Sequence, residues 1–429
     1  MFLARFRTPA LRQRAALVLG ALVLGMVAVL FARAADMVQS IFAGLVAAHP
    51  LAPLLLTPLV FAGVTGLTRR WAPAARGSGI PQVMVAAHNP AVHAEGELVS
   101  LRSAGVKLVG TLAMLLGGGA VGREGPTVQV GAAIMAAVHR RMAVPVSAGV
   151  VIAGGAAGVA AAFNTPVAGV VFAIEELSAA FEQKVAGLVM LGVVTAGLAS
   201  LWLDGDYVYF GAMTQSLGLA ATIGASLAAG VCGGLAGGLF ARMLVACTLP
   251  RPGGLLARAR SRPVLFAAAC GLLAAVIGVA TGTSWGTGYG AARHLLEGGD
   301  GSAWMGPARF CSTLLASASG APGGIFAPSL SVGAGIGRLL APVFSHEASG
   351  AIVMLGMIGY FTGVVRAPLT AVVIVMEMTA SRSMILPLFA TAIIADQVSA
   401  LIYHEKLYHA LARGFGSRQE DEHSPDVAA

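Results

Sequence analysis

Residues 126–175 return without a gap 202 positions later: Pro126 matches Pro328, Gly131 matches Gly333, Gly154 matches Gly356, Pro166 matches Pro368 and Glu175 matches Glu377. NTPVAGVVFAIEE (164–176) lies over RAPLTAVVIVMEM (366–378). Such a repeat restricts the chain to two homologous halves, about 14–204 and 216–403, joined by the polar stretch DGDYVYFG. The pattern alone does not say whether the second half is inverted relative to the first.

Both halves are greasy. The chain is 57% hydrophobic and 11% charged, where soluble chains have about a quarter of their residues charged. Apolar runs recur from 15–33 to 385–402, and several, such as 128–138, 167–175, 309–318 and 369–379, fall short of the ~20 residues a full span needs. The reading is an all-α polytopic membrane protein with many short or interrupted helices. At membrane depth such helices are tolerated only where protein or a water-filled cavity surrounds them. In transporters, repeats of this kind place the binding site where the halves meet, on interrupted helices whose N-termini face the substrate.

The net charge of +8 would suggest nucleic acid in a soluble domain. Here the basic residues cluster at segment ends, in MFLARFRTPALRQR, TRRWAPAARG and HRRM, which is the positive-inside bias of membrane proteins. No nucleic-acid partner is expected. Residues 1–13 form a cytoplasmic segment, and Ala15–Ala32 is the first membrane helix rather than a cleaved signal, being longer than a signal core of about 7–15 residues. Residues 404–429 form a C-terminal segment ending in a polar tail, SRQEDEHSPDVAA, whose composition fits disorder. The four cysteines, Cys232, Cys247, Cys270 and Cys311, sit singly in apolar runs and read as small buried residues rather than metal ligands. No metal site and no cofactor is expected. No Ser/His, paired Asp or His-x-x-x-His constellation lies in the apolar segments, so an intramembrane enzyme is a distant reading. The histidines, His88 and His409 among them, fall mostly in loops and read as solvated surface.

Three motifs share a format: GSGIP (77–81), GREGP (122–126) and GGIFAP (323–328). Each sets glycines (Gly77, Gly79; Gly122, Gly125; Gly323, Gly324) ahead of or around a proline (Pro81, Pro126, Pro328) that opens an apolar helix. Proline suits a first helical turn, and helix N-termini present free N–H groups that bind anions. Three converging ends would make an anion site. GREGP also holds Arg123 and Glu124 between apolar flanks, and intramembrane acids mark function. The repeat singles out the same residue: Glu124 aligns with Phe326, and Glu176 with Met378. Glu175 recurs as Glu377, which favours a shared structural role at a helix end. The acids that break the symmetry are Glu124 and Glu176.

With a late LYHALAR, these motifs resemble those of the CLC family of chloride channels and chloride/proton exchangers, over nearly the whole chain. The resemblance implies a homodimer in the bacterial inner (plasma) membrane, each subunit an inverted repeat of about 18 helices with its own pore, transporting chloride ions and protons across the lipid bilayer. It implies that Ser78 binds chloride through its hydroxyl, that Ile325 and Phe326 offer backbone amides, and that Tyr408 supplies a phenolic hydroxyl at the inner side. Glu124 would be the external gating glutamate and Glu176 the internal proton acceptor. The alternative within the same fold is a passive voltage- or pH-gated chloride channel. Two departures stand out: Gln82 and Met84 follow GSGIP where exchangers often carry acids, and no nucleotide-binding CBS module is expected.

Overall fold

The computed structural model describes residues 9–88, 96–177, 183–205, 209–211, 215, 217–249, 253–344, 348–381 and 383–422. These residues form 18 α-helices and no strand. In the first half they are α1 (Pro9–Ala48), α2 (Pro53–Trp71), α3 (Ile80–His88), α4 (Leu101–Leu116), α5 (Glu124–Arg141), α6 (Ala148–Phe163), α7 (Pro166–Phe172) and α8 (Gln183–Asp204). In the second they are α9 (Leu219–Thr248), α10 (Leu255–Arg260), α11 (Pro263–Thr281), α12 (Tyr289–Leu296), α13 (Met305–Ala318), α14 (Phe326–Phe344), α15 (Ser349–Val365), α16 (Pro368–Thr379) and α17 (Ile385–Ile402), followed by α18 (Leu407–Glu422). Six are long and apolar enough to cross a membrane, and many of the others are short.

Glycine and proline set the breaks. Helices α2, α7, α11 and α16 open on a proline, which lacks the N–H that the first turn would leave unpaired. Helices α6 and α15 end on left-handed residues, Asn164 (φ 56°) and Arg366 (φ 60°), which occupy matching positions of the repeat. Both helices are apolar on every face and buried almost throughout, as central helices must be.

The halves are related by a two-fold axis. Helix α5 packs on α6 as α14 packs on α15, and α1 packs on α8 as α9 packs on α17. Helix α2 also touches its counterpart α11, α5 touches α14 and α7 touches α16. Contact between equivalent elements is what a two-fold operation produces. Glu175 makes the relation atomic: its carboxylate accepts from Leu369 N (3.1 Å) and Thr370 N (2.7 Å), while Glu377 accepts from Val167 N (3.1 Å) and Ala168 N (2.7 Å). Each acid caps the opening turn of the other half's helix. This is the structural role that its recurrence in both halves suggests.

Either Glu175→Ala or Glu377→Ala strips two helix-end amides of their acceptors, and we expect a loss of ~1–3 kcal/mol. Thermal unfolding in detergent measures it. Unchanged melting for both variants would contradict the capping assignment.

Three expectations need correction. The first helix is α1, Pro9–Ala48, not Ala15–Ala32, because polar residues end the apolar run while the helix continues: Arg33 pairs with Asp204 at 2.8 Å and Asp36 with Arg123 at 3.5 Å. The C-terminal tail is helical through Glu422, since Leu407, Tyr408 and Ala410 are buried and dock the start of α18 against α3. Residues 1–8 and 423–429 of the terminal segments lie outside the described residues. Of the cysteines only Cys270 is buried; Cys232 and Cys311 are exposed on apolar helices, where a small thiol is tolerated against any apolar surroundings.

Candidate functional site

The three glycine motifs are tied together through their backbones. Gly122 N donates to Gly324 O (2.7 Å) and Gly324 N to Gly122 O (2.8 Å), so two positions equivalent in the repeat bond each other. Gly77 N donates to Ala321 O (3.2 Å) and receives a bond at its own carbonyl from Gly323 N (3.1 Å). The starts of α3, α5 and α14 therefore meet near the axis. Their first-turn amides have no intrahelical acceptors, which leaves partial positive charge at one place.

Glu124 is the first residue of α5 and is fully buried. Its Oε1 accepts from the Tyr289 hydroxyl at 2.6 Å. Oε2 makes no full hydrogen bond among the described residues; the amides of Glu124 itself and of Ala327, in the first turn of α14, face the carboxylate. A Cβ at Gly122 would collide with Oε2, so only glycine leaves room for the carboxylate there. Arg123 is mainly engaged elsewhere, donating to Ala32 O (2.9 Å) and to the Tyr209 hydroxyl (2.6 Å), and its Nε stays 4.0 Å from Glu124.

Toward one side, Ser78 and Tyr408 are buried, and neither hydroxyl makes a full hydrogen bond among the described residues. They lie near each other, and Tyr408 is within electrostatic reach of both Glu124 and Glu176. Phe326 packs on the Tyr408 ring with centroids 6.1 Å apart. Ser78, Ile325 and Tyr408 line a cavity of about 440 Å³ whose wall also holds Arg69, Arg76 and Arg260. Beyond Glu124, a second cavity of about 430 Å³ is lined by Arg33, Asp36, Arg123, Asp204, Tyr209 and Tyr289. Glu124 and the paired hydroxyls thus stand between a hollow with a basic wall and one in which arginines are paired with aspartates.

Glu176 sits outside the wall of the cavity that Ser78 and Tyr408 line. Residues Ala173–Leu177 form a single π-turn at the end of α7, a feature frequent at functional sites. The turn lets adjacent acids diverge: Glu175 caps α16, while Glu176 is buried with neither oxygen fully hydrogen-bonded. Its nearest basic groups are Lys406 Nζ and His409 Nδ1, each at 3.7 Å. His409 is half exposed, and partial burial, then Lys406 and His88, hold its imidazole below the ordinary range. An imidazole kept neutral beside a buried carboxylate can pass a proton in either direction.

Ser78, Ile325 and Tyr408 share one cavity wall, with Phe326 packed on Tyr408, while Glu176 is not part of that wall. Sequence reading passed over several neighbours. Lys107 is fully buried, and its Nζ donates to Gly77 O (2.8 Å) and Arg76 O (3.3 Å), which places an amine behind GSGIP with no acidic partner among the described residues. A lysine inside the apolar run VKLVG is a visible signal of the kind that marks function. Tyr289 in GTGYG carries no such signal.

The family model described as Voltage gated chloride channel matches residues 60–400. The chain belongs to this family, the CLC family of its motifs. It is 31% identical over 456 residues to the H(+)/Cl(-) exchange transporter ClcA of Yersinia pseudotuberculosis serotype IB (strain PB1/+), covering 99% of this chain and 92% of the relative. The ClcA of Citrobacter koseri is 30% identical over 458 residues, covering 98% and 92%. Among solved structures, a slow cyanobacterial Cl-/H+ antiporter matches with a TM-score of 0.80 and 26% identity over 95% of this chain and 99% of its own. A eukaryotic CLC transporter, with a TM-score of 0.75 and 20% identity over 94% and 74% of the two chains, shares the fold. The protein is a multi-pass membrane protein of this fold.

Proposed function

We propose that the protein exchanges chloride for protons across the inner membrane. The observation that carries this reading is the Glu124 carboxylate, seated between the N-termini of α5 and α14 where first-turn amides would otherwise hold an anion. Ionised, Glu124 competes with chloride for the same amides. Protonated, it loses that claim, and chloride takes its place with the hydroxyls of Ser78 and Tyr408 and the amides of Ile325 and Phe326. One residue then serves as gate and proton carrier. Glu176 receives the proton on the inner branch, toward Lys406 and His409. A second buried acid off the chloride line favours exchange over passive conduction, as do relatives of about 31% identity that are H(+)/Cl(-) exchange transporters.

Assembly as a homodimer belongs to the same reading. The repeat partners Val167 and Leu369 are exposed beside the reciprocal caps of Glu175 and Glu377, and give one apolar face with contributions from both halves. Light scattering of the purified protein tests this, and a monomeric mass would refute it.

Ser78 provides the direct test of the anion site. Its hydroxyl is a neutral donor in a place built from neutral donors, and a desolvated anion deprived of one donor is penalised by ~1–3 kcal/mol. Ser78→Pro should therefore change chloride-over-nitrate selectivity in a liposome efflux assay by about tenfold or more. Unchanged selectivity would remove Ser78 from the site.

A further inference from the structure

We propose that Tyr289 is a positioning residue for the outer gate: its hydroxyl, backed by the ring of Tyr209, latches the ionised Glu124 carboxylate in the anion path and sets the pH at which the gate lets go. The inference rests on the reading of Glu124 as the gate. It adds a residue that no motif supplied.

Glu124 and Tyr289 are both buried, and the 2.6 Å contact between them lies in the range of a charge-assisted O–H···O⁻ bond. The Tyr289 and Tyr209 rings lie 4.4 Å apart at their centroids, and Phe210 stands 5.8 Å from Tyr289. Tyr209 in turn accepts from Arg123 at 2.6 Å. The adjacent residues Arg123 and Glu124 are thus each held by one member of a tyrosine pair whose rings meet at a tilt of 53°. Both tyrosines line the 430 Å³ cavity, so the pair separates the buried carboxylate from that hollow.

The loop that leads into Tyr289, the first residue of α12, is held by contacts of its own. Gln39 of α1 accepts from Thr287 N (2.8 Å) and from its hydroxyl (3.0 Å), and Arg309 of α13 donates to Trp285 O (2.9 Å). Gly288 has φ 83°, and a Cβ there would strike Arg309 and Ser331. The hydroxyl is aimed by this framework rather than by its contact with Glu124. Such preorganisation is what a positioned donor requires.

A tyrosine donor favours a carboxylate over a carboxylic acid, because the bond to the charged form is roughly twice as strong. The latch therefore holds the blocking form and loosens when Glu124 takes a proton. The other titratable or charged groups around Glu124 are Arg123 at 4.0 Å, Asp36 of α1 and Tyr209 acting through Arg123, and Tyr408 of α18. From α14 the facing group is the Ala327 amide.

The test is Tyr289→Phe, which keeps the ring and removes only the hydroxyl. Chloride efflux from liposomes is recorded across a pH series, alone and in the Glu124→Gln background. The single variant should move the midpoint of pH-dependent efflux up by about one unit and speed efflux near neutral pH by about tenfold. In the Glu124→Gln background the same substitution should change efflux by less than about twofold, since no charge is left to latch. A wild-type rate and pH profile in Tyr289→Phe would overturn the proposal. So would an effect that persists in the Glu124→Gln background, which would place Tyr289 in the pore wall. Efflux that stays pH-dependent in Glu124→Gln alone would refute the gate reading itself, and the latch with it.

Discussion

Glu124→Gln keeps chloride moving and ends its coupling to protons. Glutamine has the shape of the protonated acid, does not titrate near physiological pH and brings no negative charge to the amides at the starts of α5 and α14. The hydrogen bond from Tyr289 to Oε1 survives as a weaker bond to a neutral oxygen. We therefore expect chloride flux within about tenfold of wild type, the factor that one lost interaction of ~1.4 kcal/mol commands. That flux should be flat with pH. Proton uptake driven by a chloride gradient should fall to the leak of empty liposomes. Protons still pumped in this variant would show that they travel by a route that does not use Glu124.

Glu176→Gln separates the two ions. A proton crossing a low-dielectric interior must move between titratable groups, since a bare charge at the bilayer centre costs several kcal/mol. Glu176 is buried, its oxygens lack full hydrogen bonds, and Lys406 and His409 connect it to the surface. Loss of a positioned proton-transfer group typically costs about a hundredfold or more, so proton uptake should drop by that factor while chloride flux remains measurable. Glu175→Gln is the control, because its carboxylate is occupied in capping α16. It should lower stability slightly and keep coupling. The reverse outcome, coupling lost in Glu175→Gln and retained in Glu176→Gln, would exchange the roles of the two acids.

The fold and the candidate anion site were legible because backbone rules write them into residue types. Prolines open helices, and the glycine motifs, spread over some 250 residues of sequence from Gly77 to Pro328, advertise backbone that must approach something closely. The repeat then sorted the acids: an acid present twice, Glu175 with Glu377, caps a helix, while Glu124 and Glu176 occur once. What remained hidden depends on how elements dock. Tyr289 reaches Glu124 from the start of α12, and Gln39 and Arg309, from helices far apart in the chain, pin the loop just before it. His409 reads as solvated, and its side chain is in fact half exposed, yet the docking of α18 beside the π-turn sets its other edge against Glu176. Hydropathy likewise lost α1 where Arg33 and Asp36 enter the helix. Those charges line the 430 Å³ cavity and are satisfied there by partners that lie about 90 to 170 residues away.

The most direct test is proton movement in liposomes containing the wild-type protein under a chloride gradient, with a pH electrode outside and no proton gradient at the start. Exchange predicts protons carried against their own rising gradient at the expense of chloride running down, with the flow abolished in Glu124→Gln and Glu176→Gln. Chloride that runs down fully in the wild type while the external pH stays constant would make this a passive chloride pathway and contradict the account.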